Sequence, residues 1–149
     1  MERDFVQRGD ASRERIRTLT ARLTDEQLTL QVDPDWTVSA LLAHIAFWDR
    51  FVVAEWEHAL REGLPAPIRW ERPNTDLVNA ANADEWRAIP PTTAVELIHA
   101  ATEQHDAYVA ALDERYASEA IAQGRPNLLD RSRHRDEHLD AIERTIGPV

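Results

Sequence analysis

Three histidines carry most of the chemistry this chain offers. His44 lies in Trp36-Thr-Val-Ser-Ala-Leu-Leu-Ala-His44-Ile-Ala-Phe-Trp-Asp-Arg50, an otherwise apolar run, and His134-Arg-Asp-Glu-His138 lies near the C-terminus. Leu41, Ile45, Trp48 and Val52 recur at the spacing of a buried helix face, with His44, Phe47 and Phe51 on the adjoining stripe, so the imidazole points inward. A buried neutral imidazole has one nitrogen that donates and one that accepts, and a metal ion can fill the accepting lone pair. The competing reading is a core histidine bonded to a carbonyl or hydroxyl, which is the commoner fate of a lone histidine on an apolar face. His134 and His138, at i and i+4, have Cβ atoms about 5–6 Å apart and can reach one ion together. With His44 they make three neutral nitrogen ligands and leave a fourth position for water or substrate, the pattern of a catalytic rather than a structural zinc-type site. The His-x3-His element is weakly specific by itself, because charge-rich helices acquire such pairs by chance.

The other titratable residues rank lower. His58 follows His44 on nearly the same stripe, but a rise of about 1.5 Å per residue sets it about 21 Å away. His99 falls off the apolar line of its helix and is expected to be exposed. His105 falls on that line, between Ala101 and Val109, and is expected to be a core residue, with a contact behind the metal or a fourth ligand as alternatives. Asp136 and Glu137, between the paired histidines, and Asp49, a turn beyond His44, are expected to form outer-face salt bridges rather than to move protons. Arg50, Arg131, Arg133 and Arg135 lie near the motifs, and helical position singles out none of them. Trp48 is expected to fill core volume and Trp70 to line a pocket mouth.

The elements that must position these residues are helical. Phe5, Gly9, Ser12, Ile16, Leu19 and Leu23 define an amphipathic first helix with two small contact residues. Thr24-Asp-Glu-Gln27 reads as a capping box opening a short turn before Pro34. A second long helix is expected from about Thr37 to Arg61 or Glu62, with Gly63 as its stop. Residues 64–91 hold five of the eight prolines (Pro65, Pro67, Pro73, Pro90 and Pro91) and read as a crossover carrying a modest helix from Asn74 to Arg87. Thr92 or Thr93 is expected to cap a third long helix running to about Leu112. A fourth long helix follows Gly124-Arg125-Pro126, buries Leu128, Leu129, Leu139, Ile142 and Ile146, and ends at Gly147-Pro148. There is no period-two segment, so the expected fold is all-α, a four-helix bundle with a long proline-rich crossover carrying a short extra helix.

At 149 residues the chain reads as one domain, residues 1–149, whose core closes without a structural metal. The absence of cysteine excludes a thiolate nucleophile, a zinc ribbon and a disulfide scaffold. All 17 basic residues are arginine, which excludes Schiff-base catalysis. A net charge of −10 disfavours nucleic acid and anionic lipid. Met-Glu-Arg-Asp-Phe-Val-Gln-Arg lacks a secretory apolar segment, and no apolar run approaches the roughly 20 residues of a membrane span, so a cytoplasmic location is expected.

Trp36-Thr-Val-x-x-Leu-Leu-x-His44-Ile-x-x-Trp48-Asp49, followed by His134-x-x-x-His138, resembles the DinB-like superfamily in helix order and spacing over essentially the whole chain. That superfamily includes bacillithiol-dependent S-transferases and the N-terminal domain of mycothiol-dependent maleylpyruvate isomerase. The resemblance implies a four-helix bundle, often a homodimer, binding a divalent metal, usually zinc or nickel, through His44, His134 and His138. It also implies transfer of an external low-molecular-weight thiol to a small electrophile, or thiol-assisted isomerisation of one. Mycothiol is placed ahead of bacillithiol by the lysine-free composition, with glutathione a third candidate. No counterpart of the second domain carried by the isomerase is expected in these 149 residues, which weighs against that particular reaction. A non-enzymatic stress-response or ligand-sensing module explains the same ligands, and metal-dependent hydrolysis ranks third.

Overall fold

Thr37 opens the helix that organises the molecule, its Oγ1 accepting from Ala40 N at 3.1 Å. That helix, α3 (Val38–Arg61), buries Leu41, Leu42, Ile45, Val52, Val53 and Trp56 and stops at Gly63, whose φ of +68° is cheap only for glycine. The computed structural model describes residues 3–70 and 75–147. Around α3 stand α1 (Asp4–Arg22), α2 (Asp25–Leu28), α4 (Thr75–Ala88), α5 (Pro91–Ala111), α6 (Glu114–Ala122) and α7 (Ser132–Ile146). The fold is all-α, with no strand among the described residues. α3 packs on α5, α5 on α1, α1 on α7 and α7 back on α3, while α4 lies along α3.

Two apolar clusters fill the interior. One gathers Ile16 and Leu19 of α1, Leu42 and Ile45 of α3, Ile98 of α5 and Leu139 and Ile142 of α7. The other gathers Phe5, Val52, Trp56, Val109, Ala117, Leu128 and Leu129. α1, α3 and α5 pass from one cluster to the other through polar or small residues, Gly9 and Ser12, Asp49, and His105 and Asp106, and α7 adds Arg135 between its own Leu139 and the Leu128 and Leu129 that precede it. A charged layer therefore crosses the interior between two oily ones. Gly9 belongs to it by necessity, because a Cβ there would lie 2.9 Å from Asp106 Oδ2.

Several boundaries depart from the sequence reading. The capping box at Thr24 and Gln27 forms as expected. The start of α5 differs: Pro91 occupies the first helical position without a side-chain cap, so the fixed proline φ takes the place of a threonine. The polar stretch before Gly124 contains α6, whose signals are Asp113, accepting from Arg115 N at 2.9 Å, and Ala117 and Ala120 on one buried face. The last helix starts later than expected. Pro126–Leu128 is a single 3-10 turn, and α7 opens only after Asp130 Oδ1 has accepted from Ser132 N (2.9 Å) and Ser132 Oγ (2.6 Å). Pro73 and Asn74, expected to open α4, and Pro148 lie outside the described residues.

Candidate metal centre

The structure brings His44, His134 and His138 together. Their Nε2 atoms form a near-equilateral triangle: His44 to His134 is 3.2 Å, His44 to His138 is 3.1 Å and His134 to His138 is 3.3 Å. Ligands held at about 2.0–2.1 Å in a tetrahedron stand about 3.3 Å apart, so the triangle has the size that one divalent ion requires. Helix geometry sets it up, since α7 presents two imidazoles from successive turns and α3 presents the third from across the interface. Trp36 and Trp86 pack on the His44 ring at centroid distances of 5.4 and 5.3 Å and fix its plane.

All three rings are held neutral. Burial, then the charges of His138 and Arg131, pushes His44 down to about 3. Burial and the Arg131 cation push His134 to about 2. Burial also lowers His138, with Glu137 opposing. Neutral imidazoles keep the lone pairs a metal needs. One adjustment is required. Arg131 Nη2 lies 3.0 Å from His134 Nδ1, and a guanidinium can only donate, so this contact makes Nδ1 the acceptor and places the ring proton on Nε2. Ligation through His134 Nε2 therefore requires the proton on Nδ1 and Arg131 turned away from it. Arg131 lines an open cavity and has room to turn.

Behind this centre lies the charged layer. Arg135, fully buried, donates from Nε to Asp49 Oδ2 (2.8 Å) and in bidentate fashion to Asp106, Nη1 to Oδ2 (3.0 Å) and Nη2 to Oδ1 (2.8 Å). Asp49 Oδ1 also accepts from Arg131 Nε at 3.1 Å, and His105 Nδ1 lies 2.9 Å from Asp106 Oδ1. The expected outer-face role of Asp49 is thus corrected: it is wholly buried and links Arg131, just before α7, and Arg135, within it, to α3. Arg135 and Arg131 are the residues that sequence reasoning left unranked. The available signal was Asp49 itself, a carboxylate four residues after the buried Ile45 and three before the buried Val52, which demands a cation in the interior. His105 is a core residue engaged with Asp106 and does not approach the triad. Asp136 and Glu137 do form surface pairs, with Arg15 at 3.3 Å and Arg133 at 3.2 Å. His99, expected to be exposed, is half-buried, its Nε2 3.0 Å from Thr20 Oγ1.

The triad opens on a cavity of about 590 Å³ between α3, α4 and the segment before α7. Trp48, expected in the core, is half-buried in its wall and donates to Asn79 Oδ1 at 2.8 Å. Trp70 is 53% exposed and also lines it.

Fold and site together define an all-helical protein with a three-histidine cluster able to hold a divalent metal beside an open cavity. The family model for the DinB superfamily matches residues 8–140, and the protein belongs to that superfamily. No curated protein and no solved structure matches the chain. No helix among the described residues is long and apolar enough to cross a membrane.

Proposed function

We propose that His44, His134 and His138 of a DinB-type four-helix bundle hold one zinc or nickel ion, and that the protein transfers an external low-molecular-weight thiol to a small electrophile or uses it to isomerise one. The observation that carries this reading is the convergence of three neutral Nε2 atoms on the wall of a cavity large enough for a thiol and its partner. A divalent ion in this position supplies Lewis acidity that favours the thiolate over the thiol near neutral pH. The chain's own residues do the rest. His44, held by Trp36 and Trp86, fixes the centre; Asp49 and Arg135 hold α7 so that its two imidazoles face α3. Trp48 and Phe51 exclude water from one side of the cavity, and Arg131, freed from His134 Nδ1, is the nearest cation for a developing anion. A sensing or storage module would be favoured by a fourth protein ligand, and the candidate the sequence offered, His105, is committed to Asp106. A homodimer, which the family likeness implies, is part of the proposal and is checked by light scattering.

The test incubates metal-loaded protein with mycothiol, bacillithiol or glutathione and monochlorobimane or a chlorodinitrobenzene. Metal-dependent conjugation that disappears in His44→Ala is the expected result. Rates equal to the uncatalysed reaction across all three thiols and an electrophile panel would transfer the site to the non-enzymatic reading.

A further inference from the structure

The cavity continues well beyond the histidines. Glu55 lies eleven residues after His44 on α3, about 16 Å along the axis at about 1.5 Å per residue, and lines the same space. Arg69, Trp70 and Arg125 line this distal part, and the wall between the two ends is formed by Trp48, Phe51, Val52 and Leu128. The space is thus a trough with polar ends and one apolar wall between them, and Arg131 lines it as well.

Its distal end is electrostatically unusual. The protein carries a net charge of −10, yet among the described residues two guanidinium groups here face one lining carboxylate, Glu55. Arg125 donates to the carbonyls of Pro67 (2.5 Å) and Ile68 (3.3 Å) and to Gln123 Oε1 (3.3 Å), and Arg69 donates to the carbonyl of Gln123 (3.0 Å). These acceptors are neutral, so they orient the two cations without cancelling them. The mutual charge is felt: burial and then Arg69 push Arg125 below its ordinary value, while burial raises Glu55 against the pull of Arg125. A second anion would relieve the excess and find a planar, pre-oriented donor pair.

We propose that Arg69 and Arg125 form a carboxylate-binding subsite, so that the ligand of this cavity is an elongated acid with its carboxylate at the Glu55 end and its other end facing the histidines. The identity of the metal-facing group rests on the function proposed above; the distal subsite does not. Among thiols, the subsite favours one that bears a carboxylate over one that does not.

A molecular ruler tests this. Mercaptoalkanoic acids of increasing chain length and the matching mercaptoalkanols are titrated into zinc-loaded protein, with binding read by calorimetry and by quenching of tryptophan fluorescence. The acid should bind about tenfold more tightly than its alcohol, the size expected of a charge-assisted hydrogen bond, only at chain lengths that span the trough. In Arg69→Gln and Arg125→Gln the ratio should fall towards one. Arg125 also holds the backbone at Pro67, so Arg69→Gln, exposed and with one backbone contact, is the variant that keeps the fold undisturbed. A ratio near one at every length, or a ratio that survives both substitutions, overturns the subsite. Thiol-free alkanoic acids and alkanols in metal-free His44→Ala separate the two claims. An acid-over-alcohol preference retained there and lost in Arg69→Gln, with no metal-dependent gain from the thiol in the wild type, would sink the proposed function and leave the subsite standing.

Discussion

His134 and Arg135 are neighbours on α7, yet they enter opposite kinds of interior. On the His134 side, three buried or half-buried imidazoles face one another, Glu137 acts on His138 only from a distance, and burial drives them neutral. On the Arg135 side, a wholly buried guanidinium is matched by two carboxylates; burial alone would lower its pKa, and Asp49 and Asp106 more than offset that. The first cluster leaves lone pairs unspent and opens on a cavity, whereas the second satisfies its charges internally and is sealed between apolar layers. Burial alone therefore does not mark a functional site. The informative feature is what the pairing leaves over.

The comparison is broken most severely by removing the cation of the sealed cluster. Arg135→Met takes from Asp49 and Asp106 the buried cation they share, leaving Arg131 on Asp49 and Arg13 and His105 on Asp106, and should cost about 3–5 kcal/mol in denaturant unfolding. A loss below about 1 kcal/mol would mean that the layer is solvated and contributes little.

Next in size is the metal increment. A site that exists only in the folded state gains about 2.7 kcal/mol at a metal concentration a hundred times its Kd. Wild-type protein should show this shift in unfolding, and His44→Ala, His134→Ala and His138→Ala should each lose it while staying helical by circular dichroism. Equal shifts in wild type and variants would place the ion elsewhere.

Acid separates the clusters further. The folded-state pKa values of His44 (about 3) and His134 (about 2) lie below the ordinary 6.5 of the unfolded chain, so the unfolded state binds more protons as pH falls. Metal-free protein should be at full stability above about pH 6.5 and lose it progressively below. Asp106, held at about 2 because hydrogen bonds from His105 and Arg135 outweigh its burial, adds a second loss as pH falls below its ordinary 3.8. Substituting His44 should flatten the upper limb and leave the lower one. An upper limb unchanged in that variant would show that the triad is not neutralised by burial.

The smallest effect concerns Gly9. An alanine in a helix interior ordinarily gains about 1 kcal/mol over glycine, but here its Cβ would displace an Asp106 carboxylate pinned by Arg135 and His105. Gly9→Ala should be neutral or destabilising by about 1 kcal/mol. A gain of the ordinary size would indicate that Asp106 yields without cost.

Much of the site was legible because its signals are local. The period of Leu41, Ile45 and Val52 pointed His44 inward, and the spacing of His134 and His138 placed them on one face; the same periodicity revealed the long helices and the close approach at Gly9. The charged layer was harder to read because it depends on pairing across chain distance. Asp49 meets Arg131 and Arg135 more than eighty residues later, and a carboxylate viewed within its own helix looks like a surface residue. α6 was hidden by its composition: its buried face consists of alanines, whose apolar signal is slight beside the surrounding glutamates and arginine. The distal arginines come from connections rather than helices, so no periodicity announced them.

Elemental analysis of purified, dialysed protein tests the central claim most directly, applied to wild type, the three histidine variants and His105→Gln. The account predicts about one divalent ion per chain in wild type and in His105→Gln, and loss of most of it in His44→Ala, His134→Ala and His138→Ala. An ion that survives all three substitutions, or one that leaves with His105, would contradict it.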